Sequence, residues 1–363
     1  MNIRNSLLFL IPLAFVISCC KDSNSTIILG NWVHKTSFDG TARRDAVAFT
    51  VGRRAFMGTG YDGTDRLRDL WEYDVTTNQW TQRASLPLTV KVHTKTTGGA
   101  DTIITRNVST RSGAVAFSTD SKGYIGTGFT GILQLSDFYQ YDPATNTWDT
   151  IRSLGRTSLA DSICATSRSS AIAFAINNIG YVGSGWDGSY TKDLYAYDPS
   201  TGDWTKKASL GGAKRMDATA FVINGLGYVL TGIDNGNFLV DFYAYDPNSD
   251  SWSQRRDIAN TSPDSYDDSY DMKRIKAVGF TINGKGYLAT GATNSVLNTI
   301  WEYDPATDFW TYKTPFEGAA RADAVAFVVD STAFIATGAN SGYYFDDIWA
   351  FHPKDLYNST DKK

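Results

Sequence analysis

Six arginines, Arg43, Arg111, Arg168, Arg215, Arg274 and Arg321, each stand just ahead of a small-apolar run that ends in Phe. A guanidinium offers two parallel N–H donors to a carboxylate, so such a set suits an acidic sugar or an acidic peptide. Asp45, Asp217 and Asp323 each follow their Arg by two residues. They either close ion pairs with it or act beside it as proton donors and acceptors. Tyr61, Phe129 and Trp186 supply rings on which the apolar face of a sugar can stack. Other chemistries are poorly provided for. His34, His93 and His352 are the 3 histidines of the chain, and their scatter does not bring three imidazoles to one metal. No Ser-His-Asp set, phosphate loop or zinc spacing occurs. The acidic stretch Asp264 to Asp271 lacks the Asp, Gly and Glu order of a calcium loop. Cys164 falls in an insertion, away from any partner. Neither a cofactor nor a metal is expected.

These residues sit at fixed places in a unit that recurs six times. Each copy has the Arg, two variable residues, a run such as Ala46-Val47-Ala48-Phe49, a Gly-marked second segment such as Gly58-Thr59-Gly60, and an aromatic segment ending in Asp, such as Asp69 to Asp74. A Trp closes five of them: Trp80, Trp148, Trp204, Trp252 and Trp310. Short segments rich in β-branched and aromatic residues, parted by Asp-Pro and Asn-containing turns, predict four antiparallel strands per copy. The sixth copy, from Arg321 to Pro353, ends without a Trp, whereas Trp32 precedes the first Arg. The N-terminal segment is therefore expected to supply the outer strand of the last unit and close a ring.

The paired Gly, the spaced aromatics and the trailing Trp resemble the Kelch repeat, from Trp32 to about Pro353. The resemblance implies an all-β, six-bladed Kelch-type β-propeller, spanning residues 30–357 with a polar tail at 358–363. In that architecture the six Arg, the residues just after the second-strand Gly, and the long insertions share one face. Tyr61, Phe129 and Trp186 then form an aromatic arc on three consecutive blades, beside the Arg. Galactose oxidase is also a Kelch propeller, but its copper site needs His ligands that are lacking here. Sialic-acid mutarotases are also Kelch propellers, and a mutarotase reading would use the Arg with Asp45, Asp217 or Asp323 as acid and base.

The first residues read as a targeting signal. Arg4 precedes an apolar run from Leu7 to Ile17, too short to span a membrane and of the length of a signal-peptide core. Val16-Ile17-Ser18-Cys19 resembles the bacterial lipoprotein signal, which implies cleavage after residue 18, acylation of Cys19, and a tether over residues 19–29. The expected location is the bacterial outer membrane, lipid-anchored, on its periplasmic or outer side. Net charge is −4, so nothing favours nucleic acid as a partner. Only Glu72, Glu302 and Glu317 among 38 acidic residues are Glu, and an Asp excess belongs to turns rather than helices. The expectation is a monomeric binding or scaffolding module, for a protein or glycan on the Arg face. The alternatives are a sugar mutarotase and a structural subunit of an outer-membrane complex.

Overall fold

Strand identity follows from strict alternation. In Val47–Val51, Val47, Phe49 and Val51 are buried between blades. Ala48 and Thr50 instead line the central axis. Six such inner strands crowd round that axis, so the inward positions hold small residues: Ala46, Ala114, Ala171, Ala218, Ala277 and Ala324 make one ring.

The computed structural model describes residues 29–95, 101–107, 110–155, 166–260 and 272–361. Cys19, Cys164 and the stretch Asp264 to Asp271 lie outside them. No α-helix occurs among the described residues. Six four-stranded antiparallel sheets are the blades, each ordered from axis to rim. Blade 1 comprises Val47–Val51, Arg54–Gly58, Leu70–Asp74 and Gln79–Arg83, and blade 2 comprises Val115–Ser118, Gly123–Gly126, Phe138–Asp142 and Thr147–Ile151. Blade 3 runs Ile172–Ile176, Ile179–Trp186, Tyr190–Asp198 and Asp203–Lys207, and blade 4 runs Thr219–Ile223, Leu226–Leu230, Phe242–Asp246 and Ser251–Arg255. Blade 5 is Val278–Ile282, Lys285–Ala289, Ile300–Asp304 and Phe309–Tyr312. Blade 6 joins Val325–Val329, Thr332–Ala336 and Ile348–Leu356 to the N-terminal strand Leu29–His34, with Trp32 opposite Phe351 and His34 opposite Trp349.

Aromatic pairs bind blade to blade. Phe49 stacks on Phe56 within blade 1, and both meet Tyr141 of blade 2 edge-on. The same trio recurs as Phe117, Tyr124 and Tyr197 between blades 2 and 3. Such ring pairs stabilise beyond the area they bury. Gly123 opens the second strand of blade 2 because the Phe49 ring lies where its Cβ would stand. The outer Trp adds a directed bond: Trp148, Trp204 and Trp252 donate Nε1–H to the carbonyls of Ala84, Arg152 and Ala208 in the preceding blade. Trp32 does the same to Thr314 of blade 5 at 3.3 Å, which makes it the sixth blade's Trp in function as well as in position.

The insertion after blade 1 contains an antiparallel ribbon, Thr89–Lys95 with Asp101–Asn107, that the repeat pattern does not announce. His93 lies in this ribbon, while His34 and His352 belong to blade 6.

Candidate functional site: the axial mouth and its loop face

The six Arg occupy one face, as their spacing predicts, but they do not line it for a ligand. Each is withdrawn from solvent, with relative exposure of 0% or 1%. Arg43, Arg111, Arg168, Arg215 and Arg321 form ion pairs with Asp69, Asp137, Asp193, Asp241 and Asp347, at the start of the third strand. Each of the six also donates Nη1–H to a carbonyl sixteen residues on, from Thr59, Thr127, Ser184, Thr231, Thr290 and Thr337. Blade 5 has Thr299 at the aspartate's position, and Arg274 Nη1 reaches its carbonyl at 3.4 Å. In Arg111 burial disfavours the charge, but Asp137 outweighs it and the guanidinium pKa is raised.

The expected pairing of these Arg with Asp45, Asp217 and Asp323 is therefore not formed, because the third-strand Asp take the guanidinium groups of five of the six. The local backbone also keeps them apart. Asp45, Asp217 and Asp323 have φ of 53°, 54° and 56°. A left-handed residue breaks the extended run, so positions i and i+2 no longer share a strand face. The same position holds Gly113, Ser170 and Lys276 in the other blades, also at positive φ. The six form a closed circle of backbone hydrogen bonds, from Gly113 N–H to the Asp45 carbonyl round to Asp45 N–H on the Asp323 carbonyl, at 2.9–3.1 Å. A wider circle joins each second-strand Gly to the carbonyl of the next blade's Arg, from Gly60 to Arg111 round to Gly338 with Arg43. The repeated Arg, Thr-Gly and Asp thus stitch the inner strands together.

Inside the inner circle lies a cavity of about 150 Å³, lined by Asp45, Asp217, Asp323 and Lys276. Lys276 Nζ stands 3.0 Å from Asp323 and 4.0 Å from Asp45, and Arg44 lies 3.7 Å from Asp323. Burial, and then the Asp45 carboxylate, push the Asp323 carboxyl up to about 8 against the pull of Lys276. Burial raises Asp217 as well. A carboxyl that keeps its proton longer when folded than when unfolded favours the fold most at low pH, and the advantage fades as pH rises through the folded value. The melting temperature of the parent is therefore expected to decline between about pH 5 and pH 8 more steeply than that of Asp323→Asn. Parallel melting curves across that range would remove Asp323 as the titrating group. Among the described residues no cluster of three or more His, Cys, Asp or Glu is arranged to hold a metal.

Around this mouth stand the loops that join second to third strands. Tyr61, Phe129 and Trp186 are half-buried there, each bridged through its backbone to the residue after a ring Arg: Arg44, Ser112 and Ser169. The arc is thus present, but its ring faces are partly occupied. Arg44 and Arg66 lie over Tyr61, Arg66 also lies over Phe129, and Trp186 meets Tyr190 edge-on at 4.9 Å. Sequence reasoning missed Arg44 and Arg66. The signal available for Arg44 was that it stands alone among six equivalent positions. Ile132, Leu133 and Tyr343 of the same loops are 84%, 47% and 77% exposed.

The Kelch motif family matches residues 60–87, the stretch of blade 1 from the second-strand Gly to the start of the following insertion. No curated protein matches the chain.

Proposed function

Taking the chain as a six-bladed Kelch-repeat propeller, we propose that it is a binding module which holds a protein partner on the loop face around the axial mouth, tethered to the bacterial outer membrane through acylated Cys19. The observation that carries this reading is a division of labour. The residues repeated in all six blades are used up in stitching the ring, whereas the second-to-third strand loops differ from blade to blade and carry exposed Ile132, Leu133 and Tyr343. Neighbouring apolar side chains left exposed on one face, as Ile132 and Leu133 are, suit a protein interface. The anchor rests on the order of apolar run, Ser18 and Cys19 in the sequence.

A photo-crosslinking amino acid placed at Ile132, and separately at Arg53 on the opposite face, tests the reading in intact cells. Discrete adducts with the same protein are expected from position 132 and not from position 53. In the same cells Cys19→Ser should leave the membrane fraction, since stable anchoring requires the acyl chains. Adducts only from position 53 would place the binding face elsewhere, and a Cys19→Ser protein still in the membrane fraction would remove the anchor.

A further inference from the structure

One register position breaks the sixfold pattern. The residue after each ring Arg is Arg44 in blade 1, but Ser112, Ser169, Met216, Ile275 and Ala322 in the others. The loop of blade 1 adds a second cation, Arg66, bridged to Tyr61, where the counterpart in blade 2 is Gln134 bridged to Phe129. Equivalent blades form without either cation, so the fold itself asks for neither.

Both side chains are nonetheless held in place. The Arg44 guanidinium carbon stands 5.6 Å from the Tyr61 ring centre and 6.0 Å from that of Tyr344. That of Arg66 stands 5.1 Å from Tyr61 and 4.8 Å from Phe129. Tyr344, Arg44, Tyr61, Arg66 and Phe129 therefore alternate as a ladder over blades 6, 1 and 2. Gly131, at φ 100°, makes room for it, since a Cβ there would meet Arg66 Nη1 at 2.6 Å. Stacking on rings fixes a guanidinium plane and leaves its N–H edge for a ligand. Arg44 is partly committed, 3.6 Å from Asp45 and 3.7 Å from Asp323. Arg66 forms no ion pair among the described residues, and its Nε is buried without a hydrogen-bond partner.

The surroundings select the kind of ligand. A sugar needs free aromatic faces, and guanidinium groups already cover those of Tyr61 and Phe129. What remains exposed beside the ladder is Ile132 and Leu133 on one side and Tyr343 on the other. Ile132 and Leu133 give a saccharide little and Tyr343 offers it a single ring, whereas a protein segment gains by covering all three, with Arg and Tyr as its anchors. We infer that the ladder is a carboxylate-binding site for a protein partner. An Asp or Glu side chain within an apolar segment docks on the Arg66 fork, with Arg44 as the second cation. This rests on the proposed binding face and adds the chemistry it recognises.

Short displayed peptides selected on the whole chain provide the test. The peptides retained are expected to carry Asp or Glu next to Leu, Ile or Phe. Arg66→Ala should weaken them about tenfold or more, as for the loss of a charged hydrogen-bond pair. Arg66→Lys should restore only part of the affinity, because an ammonium lacks the fork. Both variants should melt with the parent. Peptides that shield a crosslinker at Ile132 yet bind Arg66→Ala undiminished would overturn the carboxylate site and leave the binding face standing. Peptides captured at position 53 instead would overturn both. Polygalacturonate held as tightly as the peptides, and lost with Arg66→Ala, would overturn the protein assignment in favour of an acidic glycan.

Discussion

Arg111→Ala is expected to lose about 3–5 kcal/mol of folding stability, the usual cost of leaving one member of a buried ion pair alone. The side chain of Asp137 is only 9% exposed and takes both Nη groups of Arg111 at 2.8 Å. Without the guanidinium that carboxylate stays buried beside the Tyr139 hydroxyl, which still donates to it at 2.9 Å but brings no charge. The Thr127 carbonyl loses its donor as well. Against a total stability of about 5–15 kcal/mol for a folded domain, this removes a large fraction. Chemical denaturation of the parent and the variant reads the effect directly. The double variant Arg111→Met, Asp137→Leu separates charge from packing, because it removes both charges together and leaves only two neutral groups, the Thr127 carbonyl and the Tyr139 hydroxyl, without these partners. It should recover much of the loss. If Arg111 served a ligand rather than the fold, the single variant would unfold at the parental midpoint.

That expectation differs from the one the sequence alone supports, and the difference is physical. Spacing located the six Arg at the starts of inner strands and placed them on one face, and the structure agrees. Their partners were also in view, since the third-strand Asp recurs with the Arg in five of six copies. Asp45 looked nearer because two residues along a strand return to the same face. Its φ of 53° ends that extended run, and torsion angles are not visible in residue types when the residue is Asp rather than Gly. The partner instead comes from Asp69, twenty-six residues away, brought back by the second and third strands. The Thr-Gly pair shows the reverse case. Gly marked the bend, yet the reason for it, a carbonyl turned toward Arg and an N–H turned toward the next blade, appears only once the blades are side by side. The ladder on the loop face was hidden for the same reason. Tyr344, Arg44 and Phe129 belong to three blades, and nothing in one repeat tells which residues of its neighbours they will touch.

Ring closure was legible because it rests on counting: five trailing Trp for six repeats, and one Trp ahead of the first. Deleting residues 30–36 should have the largest effect of any change considered. Trp32 is fully buried, with Phe351 and Phe316 at 4.6 and 4.9 Å between ring centres. Its loss alone would cost about 3–5 kcal/mol on the scale of buried aromatic truncations. The strand also pairs in register from Asn31 opposite His352 to His34 opposite Trp349. Removing it turns Ile348–Leu356, a nine-residue strand, into an open edge with unsatisfied N–H and C=O groups. The inner circles still close, through Gly338 N–H on the Arg43 carbonyl and Asp45 N–H on that of Asp323. Blade 6 should therefore fail from the rim inward rather than the ring opening at its axis. The expected result is a sharply lowered unfolding midpoint, early amide exchange along Ile348–Leu356, and association through the bared edge. A synthetic peptide of residues 29–36 should restore the midpoint when added in excess, because it can pair with that edge as the native strand does. A truncated chain that unfolds at the parental midpoint, with its third strand still protected from exchange, would show that the outer strand is dispensable and that the inner circles alone hold the propeller shut.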